Sequence, residues 1–311
     1  MAFDPNLSNN VSQSAGSVTV TNRAATLGRS INDYDGDGRS DGAIYSRFAK
    51  GWGVVLSGYR HQTLDWLGVD ANAYQWIPGD YDGDTVTDMA LYDSQTGAWI
   101  VSISSLDDEI VIIPFGGPGY AAAPCDGDGD GITDIVVYQP GMGYWGALLS
   151  AQHYAYGEAW AGNIGYAPVP GDYDGDGKAD AVSYNESTGG WLGRMSASGY
   201  TLTWGPFGAQ GYKAVSGYWN GDGMMDPAVY GETTGGWHIL LSSYTGGYAW
   251  GSIQLGGLGW TAVPGDYDGD GIWDPVVYQE ATGQWMGLMS AQGYAQVSGP
   301  FGGPTWMPVS E

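Results

Sequence analysis

The chain has 311 residues, with 9 Lys and Arg against 34 Asp and Glu and a formal net charge of −25. That balance excludes nucleic acid and an anionic membrane surface as partners. A single cysteine, Cys125, excludes an intramolecular disulfide, and 55 glycines with 15 prolines leave little room for helices.

Met1-Ala2-Phe3-Asp4-Pro5 has neither the basic nor the apolar region of a signal peptide. No stretch is long and apolar enough to span a bilayer, so no membrane insertion is expected. The earliest strand candidate, Ser17-Val18-Thr19-Val20-Thr21-Asn22, aligns with a fourth strand. At Asp33 begins an acidic loop of the form D-x-D-G-D-G-x-x-D, which recurs from Asp80, Asp126, Asp172, Tyr218 and Asp266, at steps of 47, 46, 46, 46 and 48 residues. A short strand precedes each loop, as in residues 166–170, and an apolar one follows it, as in residues 134–138. After a Gly/Thr/Ser-rich turn comes a third strand and then a looser fourth, which ends in Phe-Gly or Leu-Gly. Three further positions repeat in every unit. Twelve residues after the loop start stands a tyrosine (Tyr45, Tyr92, Tyr138, Tyr184, Tyr230, Tyr278). Nineteen residues after it stands a tryptophan (Trp52, Trp99, Trp145, Trp191, Trp237, Trp285), and five beyond that a serine (Ser57, Ser104, Ser150, Ser196, Ser242, Ser290). The last candidate, residues 306–309, aligns with a first strand.

A fixed period in this range marks repeated supersecondary units. Four strands per unit, repeated radially, describe an all-β chain folded as a β-propeller. We expect one domain over residues 1–311, with repeats starting near 27, 74, 120, 166, 212 and 260. Strands from 1–26 and 306–311 would close the ring as a composite blade and leave no exposed edge. This favours seven blades, six full repeats plus the composite one; a six-bladed ring with spare end strands is the alternative.

The loops carry the chemistry. They hold 22 of the 34 acidic side chains, so the acidity is placed in register rather than spread over a solvated surface. Carboxylates at loop positions 1, 3, 5 and 9, a backbone carbonyl at 7 and glycines at 4 and 6 suit a hard cation, calcium before magnesium. The candidate ligands are Asp33, Asp35, Asp37, Arg39 and Asp41; Asp80, Asp82, Asp84, Val86 and Asp88; and Asp126, Asp128, Asp130, Ile132 and Asp134. They continue with Asp172, Asp174, Asp176, Lys178 and Asp180; Asn220, Asp222, Met224 and Asp226; and Asp266, Asp268, Asp270, Ile272 and Asp274. Four loops are complete and predict four Ca2+ sites. A fifth site is expected at 80–88, where Thr85 replaces the second glycine and predicts weaker binding or a shifted turn. The loop at 218–226 has Tyr218 and Asn220 at its first two ligand positions and is expected to be weak or empty.

Residues 168–177, Pro-Val-Pro-Gly-Asp-Tyr-Asp-Gly-Asp-Gly, and the pairs Phe115-Gly116 and Phe207-Gly208 resemble the FG-GAP/VCBS repeats of integrin α-subunit propellers and bacterial surface proteins. The resemblance runs over almost the whole chain. It implies a propeller with calcium in the loops joining first and second strands, extracellular or cell-surface placement, and roles in adhesion or recognition.

Six residues before each loop stand Tyr74, Tyr120, Tyr166, Tyr212 and Trp260, with Trp306 equivalent at the end. They fall on the face opposite the metals, either as packing between blades or as a ring that stacks on sugars or grips a partner. His61, His153 and His238 fall at unrelated repeat positions, and no nucleophile, zinc or phosphate motif is present, so the chain is not expected to be an enzyme. The expected function is a calcium-binding extracellular recognition or adhesion module whose ligand is a protein or glycan. A carbohydrate-binding lectin and a self-assembling surface or filament subunit are the alternatives.

Overall fold

The computed structural model describes residues 31–46, 48, 51–58, 62–64, 74–197, 201–202, 205–243 and 247–309. The first repeat contributes β1 (Gly42–Ser46), β2 (Gly51–Val55) and β3 (Gln62–Leu64). The second holds β4 (Tyr74–Trp76), β5 (Met89–Asp93), β6 (Ala98–Ile103) and β7 (Glu109–Pro114). The third holds β8 (Ala121–Ala122), β9 (Ile135–Gln139), β10 (Tyr144–Leu149) and β11 (Ala155–Trp160). The fourth holds β12 (Ala167–Pro168), β13 (Ala181–Asn185), β14 (Gly190–Arg194) and β15 (Thr201–Leu202). The fifth holds β16 (Tyr212–Ala214), β17 (Ala228–Gly231), β18 (Gly236–Leu241) and β19 (Ala249–Gln254). The sixth holds β20 (Thr261–Ala262), β21 (Val276–Gln279), β22 (Gln284–Met289) and β23 (Ala295–Pro300), and β24 (Trp306–Pro308) follows. The only helical pieces among the described residues are two 3₁₀ turns, Ser104–Leu106 and Ser290–Gln292.

These strands form six four-stranded antiparallel sheets, the blades of a propeller. The second strand of each blade is largely apolar because both of its faces are covered; Ile135, Val136, Val137 and Tyr138 are all buried. The fourth strand, outermost, alternates exposed and half-buried residues, as β7, β11 and β19 do. The repeated tyrosine and tryptophan face each other across second and third strands, for example Tyr92↔Trp99 and Tyr184↔Trp191. Their ring centroids lie 4.8 to 5.3 Å apart in five blades. Such a pair adds roughly 0.5–1.5 kcal/mol beyond its buried area. The indole N–H then donates to a carbonyl at the end of the fourth strand, Trp99 to Phe115 at 3.0 Å and Trp191 to Phe207 at 2.9 Å.

The core lies between blades. Tyr92 and Trp99 of the second blade pack with Ala122, Ile135 and Val137 of the third. Tyr184 and Trp191 of the fourth pack with Val229 of the fifth. Ile44 of the first packs with Val263 and Tyr278 of the sixth, so the apolar seam runs around a closed ring.

The sequence favours seven blades; the structure has six. β24 does not open a further blade. It pairs with β1, through Ile44↔Pro308, Tyr45↔Met307 and Ser46↔Trp306, and becomes the inner strand of the first. The physical reason is visible in the loops, where an amide at position 8 donates to the position 1 carbonyl of the loop before it. Thr87 donates to Asp33 at 2.7 Å, Thr133 to Asp80 at 2.6 Å, Ala179 to Asp126 at 2.7 Å, Met225 to Asp172 at 2.7 Å and Trp273 to Tyr218 at 2.8 Å. Ser40 donates to Asp266 at 2.7 Å, so the sixth loop docks directly on the first and no blade fits between them. The candidate strand 17–22, with the rest of 1–26, lies outside the described residues.

Candidate metal centres

In five blades the acidic loop joins the first and second strands; in the first blade it leads into β1, whose inner partner β24 comes from residues 306–308. The loop's shape comes from its own carboxylates. The position 1 aspartate accepts the amides of positions 4 and 6, as in an Asx turn extended by one residue. Asp33 takes Gly36 and Gly38, both at 2.8 Å. Asp126 takes Gly129 at 2.6 Å and Gly131 at 2.8 Å. Presenting both amides inward needs positive φ at both residues, 73° and 87° at Gly36 and Gly38, and this explains the paired glycines.

Position 9 ties the loop to the rest of the blade. Asp41, Asp88, Asp134, Asp180, Asp226 and Asp274 are buried, each at most 1% exposed. Each accepts the position 2 amide, such as Tyr34 to Asp41 at 2.7 Å. Each also accepts the amide of the repeated serine that ends the third strand, such as Ser150 to Asp134 at 2.7 Å and Ser196 to Asp180 at 2.6 Å. In five blades that serine's hydroxyl donates to position 5: Ser57 to Asp37, Ser104 to Asp84, Ser150 to Asp130, Ser196 to Asp176 and Ser290 to Asp270. The residue after the serine donates to position 3, as Ala151 does to Asp128 at 3.1 Å. The sequence marks the serine through its fixed spacing. It gives no sign of the residue that follows, because a backbone donor leaves no residue-type signature.

The carboxylates therefore converge. Ligand atoms lie within 4.8 Å of one another in Asp33/Asp35/Asp37, Asp80/Asp82/Asp88, Asp126/Asp128/Asp134, Asp172/Asp174/Asp180 and Asp266/Asp268/Asp274. Burial, opposed by the amide bonds and reinforced by neighbouring carboxylates, pushes Asp41, Asp88 and Asp180 up to about 7. The same causes push Asp134 and Asp274 up to about 6. Packed negative charge of this kind calls for a counter-charge, which Lys178 of the next loop supplies only in part at Asp128. Asp128 Oδ1, Asp174 Oδ1 and Asp268 Oδ1 are buried with no hydrogen-bond partner. An all-oxygen donor set with an orphaned buried oxygen fits a hard divalent cation. The position 7 residues Arg39, Val86, Ile132, Lys178, Met224 and Ile272 each donate their amide to the position 5 carboxylate, at 2.8 to 3.0 Å.

Of the two outcomes expected at Thr85, the structure speaks to the turn. The turn is not shifted: Thr85 holds φ at +74°, beside +88° for Gly131, and its amide reaches Asp80 at 2.9 Å as the glycine would. The loop at 218–226 differs more, and no convergent group of three acidic ligands forms there.

The aromatics on the opposite face, Tyr74, Tyr120, Tyr166, Tyr212, Trp260 and Trp306, are all half-buried. Five of them pack against core clusters. Sequence reasoning did not bring out a cross-strand row on the same end of the third blade. Tyr144 stands opposite both Gln139 and Trp160, with Tyr120 alongside. The ring centroids lie 4.9 Å apart for Tyr144 and Trp160 and 6.4 Å apart for Tyr120 and Tyr144. Residues that vary between repeats carry no periodic signal, so only strand register reveals the row.

No protein-family model matches the chain, and no curated protein does. Solved structures do. A lectin from Agrocybe aegerita, described as specifically recognising non-reducing terminal N-acetylglucosamine, superposes with a TM-score of 0.52 at 13% identity, over 79% of this chain and 86% of its own. Catalytically inactive virginiamycin B lyase from Staphylococcus aureus, bound to quinupristin, gives 0.50 at 11% identity, over 87% of this chain and 86% of its own. At these identities the likeness carries the propeller fold alone.

Proposed function

We propose that this chain is a calcium-stabilised propeller that works outside the cell as a recognition or adhesion module, and that it is not an enzyme. The observation that carries the reading is the set of five convergent carboxylate clusters, each at the same place in its blade. Bound there, a divalent cation neutralises repelling carboxylates and ties the loop to the end of the third strand, and binding only to the folded state stabilises it by mass action. Sites of this type in extracellular modules work at about 10⁻⁴–10⁻³ M calcium. The resemblance to FG-GAP/VCBS repeats supports the same placement. The cation's part is structural; the chain's own part is to present the rest of its surface rigidly to a protein or glycan. Thermal unfolding with calcium and with EGTA tests this, and identical curves would overturn it.

A second reading has an observation of its own. The row Tyr120, Gln139, Tyr144 and Trp160 offers aromatic faces beside an amide, the chemistry of a sugar subsite. Trp160 is 49% exposed. The fold shared with an N-acetylglucosamine-recognising lectin is compatible with it. A glycan array probed with the wild type and Trp160→Ala discriminates: binding lost in the variant supports the lectin reading. The third reading, self-assembly, draws on the outer strands, where Ile112 and Trp250 are 62% and 63% exposed. A single monomeric boundary in sedimentation velocity at high concentration would exclude it.

A further inference from the structure

We infer that the loop at 218–226 is closed by a side-chain amide standing where the other loops converge on a cation, so that this blade is held without metal. The inference rests on the cation assignment made above for the other five loops. In the complete loops the repeated serine hydroxyl binds position 5, and position 3 offers a carboxylate to the centre. Here position 3 is Asn220. Its Nδ2 donates to Asp222 Oδ2 at 3.2 Å and to the Ser242 carbonyl at 2.8 Å, while its Oδ1 accepts the Asp222 amide at 3.0 Å. One NH₂ group thus joins the position 5 carboxylate to the end of the third strand, which is the span a cation would tie.

The rest of the loop is rearranged to match. The Ser242 hydroxyl, with its usual acceptor taken, turns to Asp226 at 2.6 Å. Asp226 keeps the Trp219 and Ser242 amides at 3.0 and 2.5 Å. Position 1 is Tyr218, whose ring meets Trp273 of the next loop edge-on at 6.0 Å. Two carboxylates remain in place of four, and the remaining negative charge meets a donor rather than an open centre. The loop nevertheless stays in the ring of amide bonds, through Met225 to Asp172 and Trp273 to Tyr218. It is a metal-independent pin in a ring of metal-dependent ones.

Counting bound calcium by equilibrium dialysis, with unfolding followed in EGTA, tests this. The wild type should hold five equivalents, and Tyr218→Asp/Asn220→Asp should hold six. Asn220→Ala should keep all five and unfold in EGTA about 1–2 °C lower, the shift expected for one lost interaction in a chain of this size. Six equivalents in the wild type, or five in the double variant, overturns the inference, as does an unchanged EGTA midpoint in Asn220→Ala. No bound calcium in the wild type overturns the cation assignment instead, while the EGTA midpoint of Asn220→Ala still reads the amide closure.

Discussion

The amide of Ser40 donates to the carbonyl of Asp266, joining the first acidic loop to the last across 2.7 Å of backbone. Because the same bond links every other consecutive pair of loops, the candidate cation sites form one continuous belt. Loss of order at one loop therefore reaches its neighbours through the main chain, not through side chains that a surface substitution would remove.

Removing divalent cations should lower the unfolding temperature and broaden the transition. Titration back with calcium should restore it at five equivalents, the number of convergent clusters. Asp268→Asn should remove one equivalent, since it weakens the charge on a buried oxygen that has no other partner. Calcium dialysis against the wild type reads both outcomes.

Acidity should raise stability without metal and diminish the gain that metal gives. Asp41, Asp88 and Asp180 are raised to about 7 and Asp134, Asp226 and Asp274 to about 6, from 3.8. A carboxyl raised by folding contributes stability that is complete below 3.8 and is lost as pH rises through 6 to 7. In EGTA the unfolding temperature should therefore climb as pH falls from about 8 to about 5. In excess calcium the metal-dependent gain should shrink over the same window, because the metal takes only ionised carboxylates. Melting curves across that range, with both buffers, check the sign.

Thr85→Gly should stabilise the protein. A β-branched residue held at φ +74° costs on the order of 1–3 kcal/mol, of which glycine's greater unfolded-state freedom takes back about 0.5–1 kcal/mol. The net expectation is a gain of about 1 kcal/mol in denaturant unfolding, with calcium stoichiometry unchanged. A lower midpoint would mean that neighbouring contacts favour the threonine.

Deleting residues 304–311 should open the ring. β1 would lose its partner along Ile44, Tyr45 and Ser46 and present an unpaired inner edge. The truncated chain should unfold several degrees lower and form soluble oligomers, measured by calorimetry and light scattering.

Much of this is legible along the chain. The tyrosine, tryptophan and serine of each repeat occupy fixed places because each blade rebuilds the same surroundings, and the segment at 306–309 reads correctly as a first strand. Its partner does not, because pairing between chain ends is set by how many blades the loop-to-loop contacts admit. A signal for those contacts does exist between repeats. Residue 0 of a loop is Gly79, Gly171, Gly217 or Gly265 where a Cβ would strike Thr133, Met225, Trp273 or Ser40 of the next loop. It is Cys125 where the next loop carries the small Ala179, whose amide reaches Asp126. Reading one repeat at a time hides this complementarity. The aromatic set on the far face could not be resolved from spacing, since Tyr120 and Trp260 satisfy both packing and exposure by being half-buried.

The place of β24 beside β1 also imposes an order on biogenesis. Until residues 306–308 have been synthesised, the earliest blade waits with a vacant seam, so closure is a late event and cannot accompany translation of the preceding blades.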